Sequence, residues 1–146
     1  MTLRNIVMLP TPGLWTDRLF DRVSPPVVVL IVDDDIAGAR ALAAVLGIEG
    51  YRATIVDGQH AAFRTSPAST PHVVILDIEM PGCDGYAVAS AIRASSRFAH
   101  TPIIAYTSLS EEDVVVRGKQ VQIDAFCRKG LSIRPLLDLI ELVTPA

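Results

Sequence analysis

The sequence predicts an α/β domain built on a five-stranded parallel sheet wound with helices on both faces. Three observations predict it. Short continuous aliphatic runs such as Val27–Val32 and Val73–Leu76 read as strands buried on both faces. Longer segments of helical period alternate with these runs, the pattern of a parallel sheet with crossover helices. Half of the 146 residues are hydrophobic against 20% charged, ample material for one core.

Each element follows from local chemistry. Val27–Val32 opens the sheet and runs into Asp33-Asp34-Asp35. Ile36–Ile48 carries Ala39, Leu42, Ala43 and Leu46 on one helical face, with Gly50 as its stop. Arg52–Val56 is a second strand, and Gly58–Arg64 a short helix ending near Ser66-Pro67. Val73–Leu76 is the third strand, bounded by Pro71 and Asp77. Gly85–Ser95 places Val88, Ala91 and Ile92 at helical spacing. Pro102–Tyr106 is a fourth strand, with Pro102 at its first position, where a missing N–H is tolerated. Ser110-Glu111-Glu112-Asp113 resembles a capping box opening a fourth helix, although Val114-Val115-Val116 and Gly118 are poor helix formers. Ala125–Cys127 is a short fifth strand, and Ser132–Val143 a closing helix with Ile133, Leu136, Leu137, Ile140 and Val143 on one side.

Composition excludes several classes. A formal net charge of −3 argues against a protein whose main task is to neutralise nucleic-acid phosphates or coat an anionic membrane. Cys83 and Cys127 stand far apart, in no metal or redox spacing, and read as small apolar residues in a reducing cytosol. His60, His72 and His100 share no metal spacing. No window approaches the ~18 apolar residues of a membrane span. The first 26 residues, punctuated by Pro10, Pro12, Gly13 and Ser24-Pro25-Pro26, read as a loosely attached leader. Leu14, Trp15, Leu19 and Val23 fall near helical spacing and suggest a short amphipathic helix there. The division expected is 1–26 as an N-terminal extension and 27–146 as the domain.

Sheets of this kind place ligands beyond the carboxyl ends of their strands, at the point where strand order reverses. Those ends carry Asp33-Asp34-Asp35, Asp77, Thr107-Ser108 and Lys129-Gly130. Gathered carboxylates repel unless a cation sits among them. Hard oxygen ligands suit Mg²⁺, and a carboxylate left partly free can attack phosphorus. A hydroxyl and a lysine then balance the charge of the transferred group. The set suits phosphoryl transfer, whereas no GxGxxG follows the first strand to hold a dinucleotide.

Four motifs, VLIVDDD at 29–35, VVILDIEMPGCDG at 73–85, PIIAYTS at 102–108 and FCRKG at 126–130, each fall at an expected strand end. Together, over Val27 to about Val143, they resemble the receiver domain of two-component response regulators, of the chemotaxis-regulator type. The resemblance implies a flavodoxin-like (βα)5 fold with strand order 2-1-3-4-5. It makes Asp77 the phospho-accepting aspartate, with Asp33, Asp34, Asp77 and the backbone carbonyl of Glu79 as Mg²⁺ ligands. Thr107 matches the switch hydroxyl, Lys129 the lysine that pairs with a phosphoryl oxygen, and Phe126 the switch aromatic. Asp35 reads as a helix cap. The implied partners are a sensor histidine kinase or histidine phosphotransfer protein and a downstream protein, in the cytoplasm, with no direct DNA binding and a homodimer as a family-level expectation. With only Thr144-Pro145-Ala146 after Val143, output is expected by protein contact, by passing the phosphoryl group onward, or through the N-terminal segment.

Two positions depart from the family pattern. Gly130 stands where the family usually has proline after the lysine, which disfavours a cis bond. Gln122 stands where glycine is frequent, making a left-handed turn more costly. Two other readings compete with a phosphorylated regulator. One is a receiver-like module that binds without phosphorylation. The other is a haloacid-dehalogenase-type phosphatase with Asp33 as nucleophile and Asp35 as acid–base partner, against which Ala37 and the lack of a capping insertion weigh.

Overall fold

A computed structural model describes residues 11–58, 70–130 and 132–146. In chain order its elements are β1 (Val28–Val32), α1 (Ile36–Ile48), β2 (Arg52–Val56), β3 (Val73–Leu76), β4 (Glu79–Met80), β5 (Cys83–Asp84), α2 (Gly85–Ala94), β6 (Ile103–Thr107), α3 (Glu111–Gln120), β7 (Ala125–Arg128) and α4 (Arg134–Val143). Five strands form one parallel sheet in the order β2-β1-β3-β6-β7, and β4-β5 form a separate two-residue hairpin. Without the hairpin strands the order is the expected 2-1-3-4-5. The expected helix over Gly58–Arg64, with His60 in it, lies outside the described residues.

The sheet is buried on both faces because its inner strands are aliphatic at every position, and successive side chains point to opposite faces. Leu30, Val32, Val74, Leu76, Ile103 and Ala105 enter one core cluster, closed by Tyr86, Val88, Ala89 and Ile92 of α2 and Val114 of α3. Val29, Ile31, Val73, Ile75 and Ile104 enter the other, closed by Ala39, Leu42 and Leu46 of α1 and the apolar face of α4. Each fully buried Leu or Ile contributes roughly 1.5–3 kcal/mol, so burial on both faces holds β1 and β3 at the centre of the sheet.

The helix ends follow their caps. Asp35 is the N-cap of α1, accepting from the Gly38 N–H at 3.1 Å. Asp84 caps α2 through the Tyr86 N–H at 2.9 Å. Ser110 stands at the N-cap of α3 as its motif implied, but its hydroxyl donates to Asp113 Oδ2 at 2.8 Å instead of receiving a backbone N–H. The valine-rich α3 is a helix despite its weak propensity, because Val114 anchors it in the core and Glu111, Glu112 and Asp113 complement its positive end. It closes in a Schellman turn: the Ile123 N–H reaches the Gly118 carbonyl at 2.9 Å and the Gln122 N–H the Lys119 carbonyl at 3.1 Å. Gln122 takes the left-handed position itself, at φ 62°. The Lys129–Gly130 bond is not cis, in keeping with the missing proline.

The N-terminal extension corrects the expectation drawn for it. Residues 11–26 contain no helix. Gly13–Trp15 form a strap that runs antiparallel along β7, where Leu14 makes a bridge to Ala125, and further on the Val23 N–H donates to the Pro145 carbonyl at 2.7 Å. Leu14 packs against one core cluster and Trp15 against the other. Adjacent residues serving opposite faces is a period of two, so the helical spacing of Leu14, Trp15, Leu19 and Val23 was incidental. Leu19 accordingly stands 94% exposed. Among the described residues no helix is long and apolar enough to cross a membrane.

Candidate functional site

Sheet register builds the site. Val32 of β1 pairs with Leu76 of β3, so the next residues, Asp33 and Asp77, emerge side by side where strand order reverses. The Asp77 N–H donates to the Val32 carbonyl at 2.9 Å, locking that adjacency. On the other side Thr107 pairs with Arg128, and the Lys129 N–H donates to the Thr107 carbonyl at 2.8 Å. The lysine side chain is long enough to reach across β6 from there. Its ammonium lies 3.0 Å from Asp33 Oδ2 and 3.5 Å from Asp77 Oδ2.

Both of these aspartates are buried, at 6% exposure for Asp33 and 8% for Asp77. Each spends one carboxylate oxygen on a local backbone N–H: Asp35 N–H to Asp33 Oδ1 at 2.9 Å, and Glu79 N–H to Asp77 Oδ1 at 3.1 Å. The remaining oxygens face the lysine. Burial pushes the Asp77 carboxyl up to about 6, with Lys129 and the Glu79 N–H pulling it back and Asp33 adding to the rise. Burial works against the charge on Lys129, yet its bond to Asp33 and the charges of Asp77 and Asp33 hold the ammonium above its ordinary value. Lys129 therefore stays charged, and Asp33 and Asp77 share its one ammonium.

Asp34 is half-buried and turned aside, accepting the Gly58 N–H at 3.0 Å. Among the described residues, no three His, Cys, Asp or Glu side chains are already gathered as a metal cage. The donor chemistry nonetheless fits a hard divalent cation: every donor is oxygen, and the carboxylates exceed the cations beside them. Thr107 is fully buried, and its hydroxyl oxygen accepts the Leu109 N–H at 3.3 Å. Phe126 stands on β7 opposite Ala105, facing the same core cluster as Leu109. Asp35 is spent as a helix cap, outside the Asp33–Lys129–Asp77 contact.

Sequence reasoning missed three participants. Trp15 stacks on Phe126 with ring centroids 5.7 Å apart and planes within 10°. Asp124, buried just before β7, binds Arg93 at 2.9 Å, Arg18 at 2.7 Å and the Ile103 N–H at 2.9 Å. Tyr106 lies under the Lys129 ammonium, 5.7 Å from ring centroid to nitrogen. No local motif marks Trp15 or Asp124, and Tyr106 lies within PIIAYTS without a role read for it, because their partners come from distant parts of the chain.

A parallel sheet whose reversal point gathers two buried aspartates and a lysine, with a buried threonine at the next strand end, defines a receiver-type regulatory domain. The family model described as the response regulator receiver domain matches residues 29–141, and the chain belongs to that family. Transcriptional regulatory protein PdtaR of Mycobacterium tuberculosis is 38% identical over 116 residues, covering 78% of this chain and 55% of that protein. Response regulator Rcp1 of Synechocystis is 24% identical over 132 residues, covering 83% and 88%. Among solved structures, the Vibrio cholerae chemotaxis protein CheY4 superposes with TM-score 0.73 at 27% identity, over 80% of this chain and 98% of that one. Response regulator TrrA of Thermotoga maritima, in complex with Mg²⁺ and BeF, gives TM-score 0.69 at 26% identity over the same shares, 80% and 98%. The chain spans about half the length of PdtaR and about a quarter of response regulator FleR of Pseudomonas aeruginosa.

Proposed function

We propose that this chain receives a phosphoryl group on Asp77 from a phosphohistidine of a sensor kinase or phosphotransfer protein. The observation that carries the reading is the buried Asp77 carboxylate, with one oxygen fixed by the Glu79 N–H and the other facing the Lys129 ammonium. A carboxylate oxygen attacks phosphorus, the P–N bond to the imidazole breaks, and the histidine leaves with a proton, giving a mixed anhydride on Asp77. Lys129 compensates charge on the phosphoryl oxygens. Asp33, Asp34, Asp77 and the Glu79 carbonyl would hold Mg²⁺, which supplies further charge neutralisation at phosphorus. Asp33 and Asp34 have to exchange their present partners, Lys129 and Gly58, to do so.

The new charge draws the Thr107 hydroxyl, and Leu109 and Phe126 repack in response, a bias on a two-state element in place of substrate turnover. A downstream protein reads the change at the face formed by α3 and β7, where a homodimer would also form. The cytoplasm supplies both the phosphohistidine donor and the reducing conditions that suit free Cys83 and Cys127.

Incubation with Mg²⁺ and acetyl phosphate, followed by intact-mass analysis, tests this. Uptake of one phosphoryl group, absent in Asp77→Asn and without EDTA-resistant residue, is the expected result. Label retained in Asp77→Asn and lost in Asp33→Asn would favour the phosphatase-type reading instead. Absence of label under all conditions would leave the unphosphorylated binding module.

A further inference from the structure

The last strand of a sheet ordinarily presents unpaired backbone groups to solvent. Here the strap takes them. The Phe126 N–H donates to the Gly13 carbonyl and the Trp15 N–H to the Asp124 carbonyl, both at 2.7 Å. Gly13 sits at φ +83°, and a β-carbon there would collide with the Phe126 carbonyl oxygen, so the approach depends on glycine.

Side chains tie the strap to α3 as well as to β7. The Trp15 indole N–H donates to Glu111 Oε2 at 2.8 Å, at the first turn of α3. Its ring rests on Gly118, where an added β-carbon would strike it. Arg18 pairs with the buried Asp124 and donates to the His100 carbonyl at 3.1 Å. The strap thus spans α3 and β7 with the indole stacked on Phe126 between them.

This contact is mechanically joined to the phosphoryl site. Leu109 takes its N–H partner from the Thr107 hydroxyl, and Leu109, Phe126 and Trp15 all pack in or against one core cluster. When that hydroxyl turns to a phosphoryl oxygen, the Leu109 N–H loses its acceptor and the cluster holding Phe126 and Trp15 must repack.

We propose that residues 13–18 are an intramolecular ligand of the α3–β7 face, and that seating this strap and charging Asp77 oppose one another. The coupling rests on the phosphoacceptor reading above; the seated strap does not. Because coupling between sites is reciprocal, the strap weakens binding at Asp77 by the factor with which occupancy of Asp77 weakens the strap. An aromatic stack of this geometry sets that factor at about 2- to 10-fold.

Trp15 is the only tryptophan in the chain, so its fluorescence reports the strap directly. The full chain is titrated with beryllofluoride and Mg²⁺, while iodide quenching of Trp15 and hydrogen exchange at the Phe126 amide are followed. Both should rise on saturation. Trp15→Ala and Gly118→Ala should each bind beryllofluoride about 2- to 10-fold more tightly and exchange the Phe126 amide rapidly before any is added. The second variant leaves the strap sequence intact and improves helix propensity, so loss of folding does not mimic the effect. Beryllofluoride binding that is abolished in Asp77→Asn but leaves quenching and exchange unchanged, or unchanged affinity in both variants, overturns the proposal while sparing the phosphoacceptor reading. No binding by the wild type, together with no label from acetyl phosphate, overturns that reading and the coupling with it.

Discussion

Asp77 is costly to hold as a carboxylate even with the Lys129 ammonium beside it, and that cost is measurable. Burial raises its carboxyl from the usual range to about 6, so folding favours the protonated form. A carboxyl raised in the fold contributes stability that is fully present below its unfolded value near 4 and lost as pH climbs through about 6. Metal-free Asp77→Asn should therefore be more stable than the wild type at pH 7.5, by about 1–2 kcal/mol after allowance for solvent screening. The two should converge near pH 4, as read by urea denaturation in EDTA; a wild type of equal or greater stability at pH 7.5 would contradict the burial argument. The same excess of carboxylate predicts that Mg²⁺ stabilises the wild type by about 1–3 kcal/mol at 10–100 times its dissociation constant. That gain should disappear in Asp34→Asn and Asp77→Asn, as thermal unfolding in the presence and absence of Mg²⁺ would show. Asp33, Asp77 and Thr107 were legible as candidates because each stands at the end of an apolar strand run, and Lys129 because it directly follows the last strand of the sheet. Asp124 was not: a lone aspartate in the sequence gives no sign of Arg93, 31 positions away, or Arg18, 106 positions away.

At the level of elements, the inner strands and α1 were legible because burial on both faces leaves continuous aliphatic runs, and a buried strand admits little else. The helix α3 shows tertiary packing outweighing propensity, since Val114 and Gly118 are buried beside residues that favour other structures. Its exit is strained. Gln122 adopts φ 62°, held there by the Schellman bonds and by Arg93, whose guanidinium donates to the Gln122 carbonyl at 2.9 Å and 3.1 Å. Because Gln122 is exposed and the turn uses only its backbone, Gln122→Gly should stabilise the protein by up to about 1 kcal/mol. A rise of about 2–4 °C in the thermal midpoint would register it, and a fall would show that the side chain contributes more than the strain costs. The β4-β5 hairpin escaped sequence reasoning because two-residue strands carry no period. Its turn residue Gly82, at φ 70°, was the visible trace.

At the scale of the molecule, two halves of the sheet meet where β1 and β3 adjoin, and Asp33 and Asp77 stand at that seam. The far edge, β7, is where this chain differs most from what its sequence suggested. Only Leu14 and Trp15 carry the period-two signal of the strap, too few to outweigh a chance helical spacing. Its energetic weight is open to measurement: Trp15→Ala removes the stack on Phe126 and the bond to Glu111, and should cost about 1–3 kcal/mol. An unchanged denaturation midpoint would mean that the strap adds nothing to the rest of the fold. The proposed function rests on Asp77, and the most direct measurement is chemical. After acetyl phosphate and Mg²⁺ treatment, borohydride reduces an acyl phosphate to the alcohol, and sequencing of the 29–35 and 73–85 segments locates it. Homoserine at position 77, and only with Mg²⁺ present, is the predicted result; homoserine at position 33, or at neither, would contradict it.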